Sequence, residues 1–240
     1  MQWNGVWMGA AALAFFVTAG CDIEVDHNEP RHELKTVDLG KAESVKAEID
    51  MGAGELQVGG GATQLLNADF TYNQRDWKPN VEYNGNSFRG LLTIKQGHDG
   101  GGVHLGNNTY KWDLRFNDDV PLDIDVNCGA GESKLDLSKL NLRGLDVNMG
   151  VGRVEATLPD ASKRSYDVRV HGGIGEAVLH LPDKVGVVAN ATGGIGGIQA
   201  EGLHKRGDRW VNDAYDNGNP VTVHVEVQGG IGQIRLLGNG

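Results

Sequence analysis

Several patterns in this sequence hold residue types that do chemistry. Gly131-Glu132-Ser133-Lys134-Leu135 comes within one residue of the Gly-x-Ser-x-Gly turn that exposes a nucleophilic serine, but Leu135 stands where the last glycine is needed. Ser133 also falls in an alternating, strand-like stretch, so an activated nucleophile is not expected there. Gly-x-Gly pairs recur at Gly52/Gly54, Gly129/Gly131, Gly150/Gly152, Gly173/Gly175, Gly194/Gly196 and Gly230/Gly232, and each could begin a dinucleotide fingerprint. None has the third glycine five residues on, so phosphate cradling is not expected. Of the 8 histidines, His98 and His104 share the glycine loop, and no pair has the helical spacing of a zinc site. Asp50, Glu55, Asp125, Glu132, Asp136 and Asp146 offer oxygens for calcium, but the calcium roll repeats about every nine residues, which this chain does not. These carboxylates read as a solvated strand face. No catalytic residue, metal or cofactor is expected, and neither is an enzyme.

Aromatic residues concentrate between positions 70 and 116. Trp77, Tyr83, Tyr110 and Trp112 would stack on sugars or a protein partner if exposed, and otherwise pack the core. With 22 Lys plus Arg against 32 Asp plus Glu, the net charge of −10 disfavours nucleic acid or an anionic lipid surface as main partner.

Residues 6–19 form an uncharged apolar run, too short to span a bilayer comfortably and of the length of a signal-peptide core. It ends in Val17-Thr18-Ala19-Gly20-Cys21, which resembles the lipobox of bacterial lipoproteins. That resemblance implies cleavage before Cys21 and a diacylglyceryl group on its thiol, each buried methylene adding about 0.8 kcal/mol of membrane affinity. Residues 1–20 are then a signal peptide, 21–40 a polar tether and 41–240 the folded domain. Cys128, the other cysteine, is expected as a buried free thiol.

The flanks of the glycine pairs give the fold. Three residues before the first glycine stand Ile49, Val126, Val147, Val170, Ala191 and Val227, with a second apolar column two residues further back and a polar one between. That alternation is the period of a half-buried strand. Six strands lead into six glycine turns, each followed by a further apolar-alternating strand. The first glycines lie 77, 21, 23, 21 and 36 residues apart. A unit of this size cannot bury its own apolar face, so neighbours should stack into an all-β, β-solenoid-like rack. Asp50, Asn127, Asn148, His171, Thr192 and Gln228, two before each first glycine, are expected as a structural polar ladder. The long interval reads as an insertion at about 60–120 with two or three further strands and a glycine loop from Gly97 to Gly106. Residues 205–219 read as an enlarged polar loop.

Residues 111–159, KWDLRFNDDVPLDIDVNCGAGESKLDLSKLNLRGLDVNMGVGRVEATLP, resemble the toastrack group of bacterial envelope proteins, which includes the carboxy-terminal domain of LiaF-type stress regulators and adhesin-type domains. The resemblance covers about residues 41 to 238. It implies a strand rack without known catalytic chemistry, outside the cytoplasm and sometimes coupled to envelope stress.

The expected function is a non-enzymatic envelope lipoprotein, membrane-held through Cys21, that engages a protein partner. The alternative is a surface adhesin or glycan-binding lipoprotein. An exposed aromatic patch in the insertion would favour glycans. A flat apolar edge on the terminal rung, near Val221 to Leu237, would favour protein association or a homo-oligomer.

Overall fold

The computed structural model describes residues 29–97 and 109–238, which form one all-β rack. In chain order the strands are β1 (Arg31–Val37), β2 (Ser44–Ala62), β3 (Leu66–Tyr72), β4 (Asn80–Asn84), β5 (Arg89–Lys95), β6 (Tyr110–Asn117), β7 (Leu122–Asp136), β8 (Leu142–Thr157), β9 (Tyr166–Leu181), β10 (Gly186–Glu201), β11 (His204–Arg206), β12 (Arg209–Val211) and β13 (Thr222–Gly238). A helical turn, α1 (Asp213–Asp216), separates the last two.

Each Gly-x-Gly pair lies inside one long strand, not in a turn between two. In β7 the buried side chains are Leu122, Ile124, Val126 and Cys128 before the pair, then Ser133 and Leu135 after it. Burial switches from even to odd positions at the bend, so both limbs turn their apolar side chains into one shared core. Pairing continues through the bend in register: Gly131 sits opposite Gly152 and Ala130 opposite Val151. Only glycine can make this corner. Gly131 has φ 132°, and a Cβ there would also run into the Gly54 carbonyl oxygen of the rung before. The expected turns are therefore corners within continuous strands.

The rungs stack in parallel in the order β2, β7, β8, β9, β13, β10. This departs from chain order at one place. β13 slots between β9 and β10, in register with both, so Val221 to Leu237 is an interior rung and not the expected terminal one. The linker after β10 explains the return. Asn212, buried, accepts from Val187 N (2.8 Å) and Tyr215 N (3.0 Å) and donates to Pro182 O (3.1 Å) and Val185 O (2.9 Å). All four of its hydrogen-bonding positions are filled, which fixes the end of β12 against the start of β10. Residues 205–219, expected as a loop, thus contain β12, α1 and most of β11.

The expected insertion builds a split rung of the same sheet. β5 pairs in parallel with Ser44–Asp50 of β2, and β6 with the stretch from Glu55 to Ala62. β4 then covers β5, and β3 followed by β1 covers β6, all antiparallel. The expected tether is accordingly shorter than 21–40, because Arg31–Val37 is strand β1.

Candidate binding surface

The corners carry two side-chain ladders along the rack. The first is polar. Asn148 Nδ2 donates to Asn127 Oδ1 (3.0 Å), Asn127 Nδ2 donates to Asp50 Oδ1 (2.8 Å), and Lys95 Nζ lies 3.3 Å from Asp50 Oδ2. Asp50 can only accept, so it fixes which way both amides point. Beyond Asn148 the expected ladder changes character: Gln228 Nε2 bonds Glu226 on its own strand at 2.8 Å. A groove of about 950 Å³ runs beside these residues and the first-glycine column, and also touches Gln96 and His171.

The second ladder is aliphatic and lies on residues that carry no expectation from the sequence alone. The residue between the two glycines is Ala53, Ala130, Val151, Ile174, Ile231 and Ile195 in rack order, each opposite the next. Val151, Ile174, Ile231 and Ile195 are 51%, 51%, 49% and 72% exposed. Neighbouring parallel strands lie about 4.8 Å apart, so these four make a continuous apolar ridge. Its signal was present as the middle letter of each Gly-x-Gly, but only knowledge that the corner faces solvent separates a ridge from a core column.

The aromatic cluster lies elsewhere. Trp112 is 1% exposed, and Trp77, Tyr110, Trp112 and Phe70 form a chain of tilted and edge-on contacts at 5.4 to 5.6 Å. Tyr110 OH donates to Trp77 O (2.8 Å), and burial pushes its phenol well above the usual tyrosine range. Tyr83 is half-buried and donates to Leu39 O (2.7 Å). The aromatic patch envisaged for sugar stacking is thus largely core, because alternation in β6 turns Tyr110, Trp112, Leu114 and Phe116 inward together.

On the outer faces charges pair between rungs. Lys46 Nζ bridges Asp125 (2.7 Å) and Glu48 (2.9 Å), and these hydrogen bonds push its pKa up. Glu155 accepts from His180 Nε2 (3.2 Å) and from Arg153 (3.1 Å), which holds its carboxyl below the usual range. Asp50, Asp125 and Asp146 stand on successive rungs, whereas Glu55 pairs with Lys111 (2.7 Å) and Asp136 Oδ1 accepts from Ser138 Oγ (2.6 Å). Among the described residues no three His, Cys, Asp or Glu side chains converge as metal ligands would. Cys128 is a buried free thiol, and burial raises its pKa. Ser133 is buried in the core of β7. Cys21, His98 and His104 lie outside the described residues. No described helix is long and apolar enough to cross a membrane.

An open rack of parallel rungs bent at stacked glycine corners defines a toast-rack fold. The chain belongs to the family described as the N-terminal domain of toast_rack, DUF2154, whose model matches residues 26–180. A solved protein from Clostridium sporogenes ATCC 15579, described as a candidate cell adhesion protein, is 33% identical with a TM-score of 0.84, over 88% of this chain and 100% of that one. Candidate adhesins from Parabacteroides distasonis ATCC 8503 (13% identity, TM-score 0.29) and Parabacteroides merdae ATCC 43184 (12%, 0.30) each align over 87% of this chain and 97% of theirs. Those two overlay too loosely to bear on fold or function. A search of curated proteins gives no match.

Proposed function

We propose that this protein is a non-enzymatic, adhesin-type interaction module of the cell envelope, held to a membrane by a lipid on Cys21. The observation that carries the reading is the aliphatic ridge Val151, Ile174, Ile231 and Ile195: four large apolar side chains kept in solvent on successive rungs, where polar residues would fit the corner equally well. The likeness to the Clostridium protein supports adhesion as the activity and an envelope location. The lipobox-like stretch ending at Cys21 supports the anchor, and the resemblance of residues 111–159 to LiaF-type domains supports a link to envelope stress.

Two comparisons test this. Ile174→Lys with Ile231→Lys should abolish attachment of protein-coated beads to bacterial cells while leaving the unfolding midpoint almost unchanged. Undiminished attachment by this double variant removes the ridge from the function. For the anchor, wild-type protein expressed in a bacterium should begin at residue 21 with added acyl mass and partition into membranes, and Cys21→Ala should do neither. Identical behaviour of the two would make Cys21 incidental.

A further inference from the structure

The strand edges of the rack are treated unequally. At one end β5 and β4 cover the first limb of β2, while β6, β3 and β1 cover the second, and outermost β1 carries Arg31, Glu33 and Lys35. The corner itself is closed by Gln96, whose Oε1 accepts from Gly52 N (2.6 Å) and Ala53 N (3.3 Å). At the other end β12 pairs with β10 only at Val188 and Ala189, and β11 beyond it is His204-Lys205-Arg206. From Ala191 to Ala200, β10 is hydrogen-bonded along β13 on one side only, among the described residues. This stretch, ATGGIGGIQA, holds no charge and no proline, and Ile195 and Ile198 are exposed. Such an edge is what folded proteins ordinarily block.

The geometry of the stack states what fits there. A Cβ on either corner glycine of a rung points at the preceding rung: on Gly194 it would strike the Gly230 carbonyl oxygen, and on Gly196 that of Gly232. The same relation holds from β7 through β13. A strand continuing the stack past β10 must therefore have glycine opposite both Gly194 and Gly196. A second copy related by a two-fold does not fit. It would run β10 antiparallel to its partner, so its corner glycines could not continue the parallel register of the stack.

We propose that the free edge of β10, Ala191–Ala200, captures by parallel strand addition an extended segment of another polypeptide that carries its own Gly-x-Gly corner. The inference goes beyond the adhesin reading, because it stands on the strand edge and not on the aliphatic ridge or on Cys21.

The test uses the unmodified protein and two synthetic peptides of residues 228–237, QGGIGQIRLL, one native and one carrying Gly230→Ala and Gly232→Ala. Fluorescence polarisation should show saturable binding of the native peptide and at least about ten-fold weaker binding of the alanine peptide. Hydrogen exchange should show the native peptide protecting amides within Thr192–Glu201. No binding of the native peptide, equal binding of both, or protection confined to β9 would each overturn the proposal. So would concentration-dependent dimerisation that protects the same amides without peptide.

Discussion

Gln96 Oε1 sits 2.6 Å from the amide nitrogen of Gly52, where each later rung has the carbonyl oxygen of a neighbouring glycine close against its own first glycine. A side-chain amide thus replaces the peptide group of a corner that the split rung of β5 and β6 does not supply. Gln96→Ala should cost about 0.5–1.5 kcal/mol, because water replaces the lost acceptor at an exposed site. Urea unfolding monitored by tryptophan fluorescence measures this, and an unchanged midpoint would mean that the cap contributes nothing.

Corner glycines and edge glycines should respond in opposite ways to alanine. Gly152 has φ 140°, and a Cβ there would collide with the Gly131 backbone, so Gly152→Ala should cost about 3 kcal/mol or more. Gly197 meets nothing within 4 Å and has no positive φ, so Gly197→Ala should be neutral or stabilise by up to about 1 kcal/mol. Equal losses for both would refute the carbonyl-contact account of the corner.

Asn212 ties β12 and α1 to the start of β10 through its four hydrogen bonds. Asn212→Leu leaves Val187 N, Pro182 O and Val185 O without that partner, at a cost of about 2–4 kcal/mol. The effect should concentrate at the distal end, with hydrogen exchange in β10 and β13 accelerating before that in β2 and β7. Uniform acceleration would show that the rack unfolds as one unit.

Glu155 gives the pH dependence a sign. Its folded pKa lies below the ordinary carboxylate value, chiefly through the His180 hydrogen bond and then through Arg153. Its contribution is therefore present above the unfolded carboxylate pKa and is lost as pH falls through the folded one. Glu155→Gln should flatten the acid side of the stability curve below about pH 5. Denaturation midpoints for both proteins across that range check it, and parallel curves would exclude the pairing as a source.

The sequence by itself determined the rung. Alternating apolar residues such as Ile124, Val126 and Cys128 set which face is buried, and Gly129 and Gly131 set where the strand bends. Both are local demands, of side-chain alternation and of a backbone that admits no Cβ, and they recur in the six strands that carry a Gly-x-Gly corner. Legible to the same degree was the strand character of β4, β5 and β6. The order of rungs was decided only by the tertiary structure. His171-Gly-Gly-Ile-Gly, Thr192-Gly-Gly-Ile-Gly and Gln228-Gly-Gly-Ile-Gly are nearly the same corner, so any of the three fits beside any other. What chooses is remote in sequence: Asn212 holding the linker, Val221 O accepting from Gly186 N (2.9 Å), and Ser165 Oγ accepting from Thr222 N (2.9 Å), which lead β13 in between β9 and β10. The ridge and the free edge follow from that order, since a repeat specifies the shape of a unit while exposure depends on which unit comes last.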